Sequence, residues 1–229
     1  MKTFSKILIV DDEPFNVDYL EQELEGLNCE ITSANNGQEA LEKVRAAAPD
    51  LVLLDIMMPV MDGYAVLSQL KAEVSTRDIP VVIISASNDL KSVVKGIQMG
   101  AEDYLPKPFE PTLLHARVSS SLEKKRLHDL RTLYLKGLER EMEIAREIQM
   151  SFLPTQLPTL EGWEIAAYFK AAREVAGDYY DALLLPDERL VFNVGDVCGK
   201  GIGAALFMTL YRSLIRAAAT TDNFAPLGD

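Results

Sequence analysis

Residues 51–63 read Leu51-Val52-Leu53-Leu54-Asp55-Ile56-Met57-Met58-Pro59-Val60-Met61-Asp62-Gly63. Four consecutive apolar residues that end on a carboxylate, followed by a proline- and glycine-bearing turn, describe a strand covered on both faces that stops at a polar rim. Two runs of the same kind stand on either side of it: Ile7-Leu8-Ile9-Val10 before Asp11 and Asp12, and Val81-Val82-Ile83-Ile84 before Ser85. Weaker strands fit residues 30–33 and 103–105. Between the strands, residues 15–27, 38–47, 64–73 and 90–99 carry apolar side chains at three- and four-residue spacing, which predicts helices. Five strand–helix units with buried parallel strands and right-handed crossovers give an α/β, doubly wound (βα)5 domain over 1–118.

In an open parallel sheet a ligand binds outside the carboxyl ends of the strands. The residues placed there are Asp11 and Asp12, Asp55, Ser85 and Lys107. Three carboxylates suit Mg²⁺, a hard cation that keeps several waters and shares its site with phosphate. Lys107 adds a compact positive charge that can pair with a carboxylate or a phosphoryl oxygen. Such a set can run phosphoryl transfer to a carboxylate, with Asp55 as nucleophile and Lys107 and Ser85 holding the transferred oxygens. Taken singly, an aspartate at a strand end is more often a helix cap or turn residue, a role open to Asp11 and Asp62, and Tyr104 could be a plain core aromatic. Taken together, unrelated caps have no reason to gather a lysine and a hydroxyl at matching strand ends.

The stretches VDDE at 10–13, DIMMPVMDG at 55–63, Ser85-Ala86, and YLPKPF at 104–109 resemble the receiver domain of two-component response regulators, a flavodoxin-like fold, over the whole of 1–118. The resemblance implies that Asp55 accepts a phosphoryl group from a histidine kinase or phosphotransfer protein. It implies that Asp11, Asp12, Asp55 and the backbone carbonyl of Met57 bind Mg²⁺, that Lys107 is catalytic, that Ser85 and Tyr104 form the switch, and that the Lys107–Pro108 peptide is cis.

From about residue 112 to 152 Gly and Pro nearly vanish, and charges of both signs interleave with Leu122, Leu127, Leu130, Tyr134, Leu138, Ala145, Ile148 and Phe152. This predicts one long helix, with Gly137 as a candidate break, whose portion 119–152 is a linker. A single apolar stripe has no core of its own, so a coiled-coil homodimer is expected. The period is imperfect, since Glu141 falls on the seam, and a helix folded back on its own domain is the alternative.

Leu153-Pro154 and Leu157-Pro158 end the helix. Beyond them, residues 163–169 and 190–194 read as strands and 204–219 as a helix apolar nearly all round, a surface that needs a cover. Asp178 and Asp196 each follow a glycine, and could share a dinuclear metal site that activates water, or could sit in two tight turns. AREIQMSFLP at 145–154, AREVAGDYYD at 172–181 and GDVCGKGIGAAL at 195–206 resemble the start of a PPM-type metal-dependent serine/threonine phosphatase, a partial α/β sandwich over 153–229. That resemblance implies Asp178, Asp196 and the carbonyl of Val197 as ligands of Mg²⁺ or Mn²⁺, with a phosphoprotein such as an anti-sigma-factor antagonist as substrate. Ala176 and Cys198 depart from the family pattern without removing a carboxylate. The family's domain is more than twice the 77 residues that follow Phe152, so no useful phosphatase activity is expected of this polypeptide. The alternative function is a non-enzymatic signalling adaptor that binds a partner in a phosphorylation-dependent way.

Composition narrows the field. Of the net charge of -12, residues 1–118 hold 10 basic and 19 acidic side chains, the wrong sign for gripping nucleic acid or an anionic membrane. No helix-turn-helix pattern or basic patch is present. Cys29 and Cys198 match no zinc or disulfide spacing, and the four-residue apolar run near the N-terminus is too short for a signal peptide or a span, so a cytoplasmic protein is expected.

Overall fold

The computed structural model describes residues 4–86, 90–171, 175–199 and 201–221. Residues 172–174 and Lys200, which belong to motifs quoted above, lie outside them. The chain divides into two compact units, Met1–Arg131 and Thr132–Asp229.

The first unit alternates strand and helix: β1 (Ser5–Val10), α1 (Pro14–Leu24), β2 (Cys29–Ala34), α2 (Gly37–Ala47), β3 (Leu51–Asp55), α3 (Gly63–Ala72), β4 (Val81–Ser85), α4 (Leu90–Gln98), β5 (Asp103–Pro106) and the start of α5 (Pro111–Phe152). The five strands are parallel in the order β2-β1-β3-β4-β5. Alternation along each strand builds two cores. Leu8, Val10, Val52, Leu54, Val81 and Ile83 pack with α2 and α3 on one face. Ile7, Ile9, Leu51, Leu53, Val82 and Ile84 pack with Val17 and Leu20 of α1 and with Leu114 and Val118 of α5 on the other. Burial on both faces is why these strands are unbroken apolar runs in the sequence.

Helix starts follow their caps. Asn36 accepts from the Glu39 N–H at 2.9 Å and Asp62 from the Ala65 N–H at 2.7 Å, so Asp62 does serve as a cap. Asp11 does not cap α1, whose N-cap is Glu13. The α-helix expected over 15–27 stops at Leu24. A 3-10 turn (Glu25–Leu27) and a left-handed Asn28 (φ 49°) finish it, because Gly26 and Asn28 favour exit from the helix. Gly137 causes no break. α5 runs 42 residues without interruption, and one glycine at about 1 kcal/mol relative to alanine is absorbed by the helix formers around it.

In the second unit, β6 (Tyr179–Leu184) and β7 (Leu190–Gly195) form an antiparallel pair, and α6 (Ile202–Thr220) follows. Leu153, just after α5, packs with Tyr179 and Met208 to make the core. The strand expected at 163–169 is not there. Trp163 and Tyr168 are 74% and 86% exposed, and the only pairing in that stretch among the described residues is one bridge from Leu160 to Trp163. Apolar content without a partner strand leaves this segment irregular. α6 buries Ala204, Ala205, Met208 and Arg212, and exposes Leu206, Phe207, Leu210, Tyr211 and Leu214. By length and composition it could cross a membrane, yet its two arginines are both tied to Asp181 of β6, as in a helix packed on its own sheet.

Candidate functional site

The order β2-β1-β3 reverses direction at β1, and the carboxyl ends of β1 and β3 flank that point, where an open sheet leaves a crevice. Asp11 follows β1 directly and Asp55 is the last residue of β3. Both are buried, Asp12 is half-buried, and one carboxylate oxygen from each lies within 4.8 Å of the others. Among the described residues this is the only group of three or more potential metal ligands.

Lys107, just after β5, reaches into this group. Its Nζ donates to Asp11 Oδ2 at 2.7 Å and to Asp55 Oδ2 at 2.8 Å. Burial pulls the Lys107 ammonium down, but the hydrogen bonds and charges of Asp11 and Asp55 outweigh it and hold its pKa above the ordinary lysine value. The Lys107 N–H donates to the Ser85 carbonyl at 2.8 Å, which places its stem, and the Lys107–Pro108 peptide is cis.

The carboxylates are oriented as well as gathered. Asp11 accepts from the Glu13 N–H at 3.0 Å and from Asn16 Nδ2 at 3.0 and 3.1 Å. Asp55 Oδ1 accepts from the Met57 N–H at 3.2 Å. Behind Asp55, the Gly63 N–H donates to the Ile56 carbonyl at 3.0 Å, and a Cβ on Gly63 would stand 2.2 Å from the Asp55 carbonyl oxygen. Only glycine lets α3 start this close to the strand end. Ser85, at the end of β4, is buried, and Tyr104 lies inside the core on the α3 side beside its register partner Ile83. All the rim residues picked from the sequence therefore meet at one end of the sheet. Asn16, which steadies Asp11, was not among them; its spacing of five from Asp11 on the first turn of α1 is the signal that could have found it.

In the second unit, Asp178 precedes β6 and Asp196 follows β7. Loss of surrounding water, then the charge of Asp196 and a hydrogen bond with it, push the Asp178 carboxyl above its usual range. The two carboxylates therefore face one another. The Val197 N–H donates to the Gly177 carbonyl at 3.3 Å, and a Cβ on Gly177 would come within 2.5 Å of the Val197 carbonyl oxygen. Sequence reading missed Asp181, Arg212 and Arg216. Asp181 is buried, its carboxylate meets Arg216 Nε at 2.5 Å and lies 3.2 Å from Arg212 Nε.

A family model for the response regulator receiver domain matches residues 7–119. A crystal structure described as a response regulator from Chloroflexus aurantiacus is 34% identical, covers 53% of this chain and 99% of its own, and superposes with a TM-score of 0.51. Residues 7–119 form a response regulator receiver domain. This domain is also 40% identical over 119 residues to the "Probable transcriptional regulator ycf27" of Porphyridium aerugineum, a match over 52% of this chain and 48% of that protein. The chain thus spans about half the length of such curated relatives. Protein IcfG of Synechocystis is 57% identical over 81 residues, 35% of this chain and 13% of that protein. A second family model, for stage II sporulation protein E, matches residues 186–226. The receiver's Asp11, Asp12 and Asp55 have the oxygen donors, number and spacing that Mg²⁺ takes.

Proposed function

We propose that this chain is a response regulator that accepts a phosphoryl group on Asp55 from a histidine kinase or phosphotransfer protein, and passes the change through α5 to a metal-dependent serine/threonine protein phosphatase effector. The observation that carries the first half is the double grip of Lys107 on Asp11 and Asp55 at the sheet's crevice. An Asp55 oxygen attacks phosphorus, the bond from phosphorus to the donor imidazole breaks, and the imidazole leaves with its electron pair. Lys107 then exchanges a carboxylate oxygen for a phosphoryl oxygen without leaving the site. Asp11, Asp12, Asp55 and the Met57 carbonyl would hold Mg²⁺, which would supply neutralising charge there. Ser85 meets another phosphoryl oxygen, and Tyr104, packed beside Ile83 on the next strand, follows the movement of β4.

The effector reading is supported by the match at 186–226 and by the facing carboxylates Asp178 and Asp196, which with the Val197 carbonyl would hold Mg²⁺ or Mn²⁺. Its substrate class is a phosphoserine or phosphothreonine protein such as an anti-sigma-factor antagonist. Leu127, Leu130, Tyr134, Leu138 and Ile148 are exposed along α5, which supports pairing with the same helix of a second copy. The domain limits that go with this reading are 1–118, 119–152 and 153–229. Sedimentation of the chain with and without beryllofluoride and Mg²⁺ tests the coupling. Self-association should change in the parent and not in Asp55→Asn, and an unchanged parent refutes the link between Asp55 and α5.

A further inference from the structure

Gln149 lies in the last turns of α5 and is 2% exposed. Its side-chain amide pairs with both backbone groups of Ala176: Nε2 donates to the Ala176 carbonyl, and the Ala176 N–H donates to Oε1 at 3.0 Å. A glutamine amide has the donor and the acceptor of a peptide group, so this contact is a one-residue ladder between a helix and a stretch that belongs to no strand. Two residues further on stands Asp178. On its other side the same stretch is held by the loop after β7, where the Val197 N–H meets the Gly177 carbonyl and Gly177 has no room for a side chain against the Val197 carbonyl. Residues 176–178 are therefore fastened at one edge to the end of α5 and at the other to the loop that carries Asp196.

Leu153, the residue just after α5, packs against Tyr179 and Met208, an apolar contact. Apolar packing resists separation and permits small slides, whereas a buried two-way hydrogen bond fixes direction and register. α5 is continuous from the receiver core, where Leu114 and Val118 pack, to Gln149.

We infer that Gln149 is the positioning residue through which α5 sets the Asp178–Asp196 carboxylate pair: a turn or shift of the end of α5 carries Ala176, and Asp178 with it, relative to Asp196. The inference rests on the reading of α5 as transmitter and of those two aspartates as the effector's ligand pair. Nothing in it requires that the carboxylates be loaded.

Hydrogen exchange on the whole chain tests it, with beryllofluoride and Mg²⁺ present or absent, in the parent, Gln149→Ala and Gln149→Glu. In the parent, exchange at residues 176–181 should change by about threefold or more when the receiver binds beryllofluoride. In Gln149→Ala those amides should exchange on the order of tenfold faster at rest, and the response to beryllofluoride should vanish there while the receiver still responds. Gln149→Glu keeps the acceptor for the Ala176 N–H but places a carboxylate against its carbonyl, and should also lose the response. A response at 176–181 that persists in both variants overturns the inference and leaves the receiver reading intact, since a purely structural glutamine alters resting exchange alone. A parent whose receiver responds while 176–181 does not overturns the inference without any variant. A parent whose receiver does not respond overturns the reading beneath it as well.

Discussion

Replacing Asp12 by asparagine should make the receiver more stable without Mg²⁺ and less responsive to it. The three carboxylates of the crevice lie within 4.8 Å of one another, and Lys107 is paired with Asp11 and Asp55. Among the described residues no such pair is found for Asp12. Two like charges at that separation repel by about 1 kcal/mol in water and about 3.5 kcal/mol at an effective dielectric of 20. Asp12 faces two carboxylates and one ammonium, which leaves one net repulsion, and its half-buried position with salt screening puts the value near the wet end, about 1 kcal/mol. Asp12→Asn should therefore raise the unfolding midpoint by about 3–5 °C in a chelator at low salt. The parent gains about 1.8 kcal/mol when Mg²⁺ is present at roughly twenty times its Kd, and the variant, short of one anionic ligand, should gain much less. The two curves cross as Mg²⁺ is added. Thermal unfolding followed by amide protection in β1 and β3 isolates the receiver from the second unit. A variant less stable than the parent in chelator, or an equal Mg²⁺ increment in both, refutes the charge argument.

Val60 has φ 69° and a side chain 92% exposed, so Val60→Gly should relieve left-handed strain of about 1–2 kcal/mol and return part of it to unfolded-state entropy, for a net gain of about 0.5–1 kcal/mol in denaturant titration. Asp181→Ala leaves Arg212 buried without its counter-charge and should cost the second unit about 3–5 kcal/mol, visible as early loss of protection in β6 and β7 on heating. The pKa of Lys107 is raised above its ordinary 10.5, so its folded-state charge contributes stability in full below that value and loses it as pH climbs through the raised pKa. The stability difference between the parent and Lys107→Met should accordingly be flat from neutral pH to about pH 10 and shrink above it, as read from alkaline denaturation.

Most of the first unit was legible because each decisive signal is local. A strand buried on both faces must be an apolar run, and the residues just past its carboxyl end lie by topology at the rim, which is enough to bring Asp11, Asp12, Asp55, Ser85 and Lys107 together. The second unit was less legible because its signals are relational. β6 contains Asp181, which a sequence pattern would place in water, and only Arg212 and Arg216 on α6 make it a buried residue. Residues 163–169 look like a strand by content, but a strand needs a neighbour, and that is not written in the segment itself. Gln149 is one polar residue among many on α5 until Ala176 is folded against it. The end of α1 differed for a local reason that was available: Gly26 and Asn28 mark an exit from the helix.

Everything proposed for the receiver depends on Asp55 being the phosphoacceptor. The measurement is incubation of the chain with acetyl phosphate and Mg²⁺, followed by intact mass and mapping of the modified peptide. One added phosphoryl group is expected, on Asp55, that needs Mg²⁺ and is absent from Asp55→Asn. An unmodified parent, a phosphoryl group on another residue, or the same yield from Asp55→Asn would contradict it.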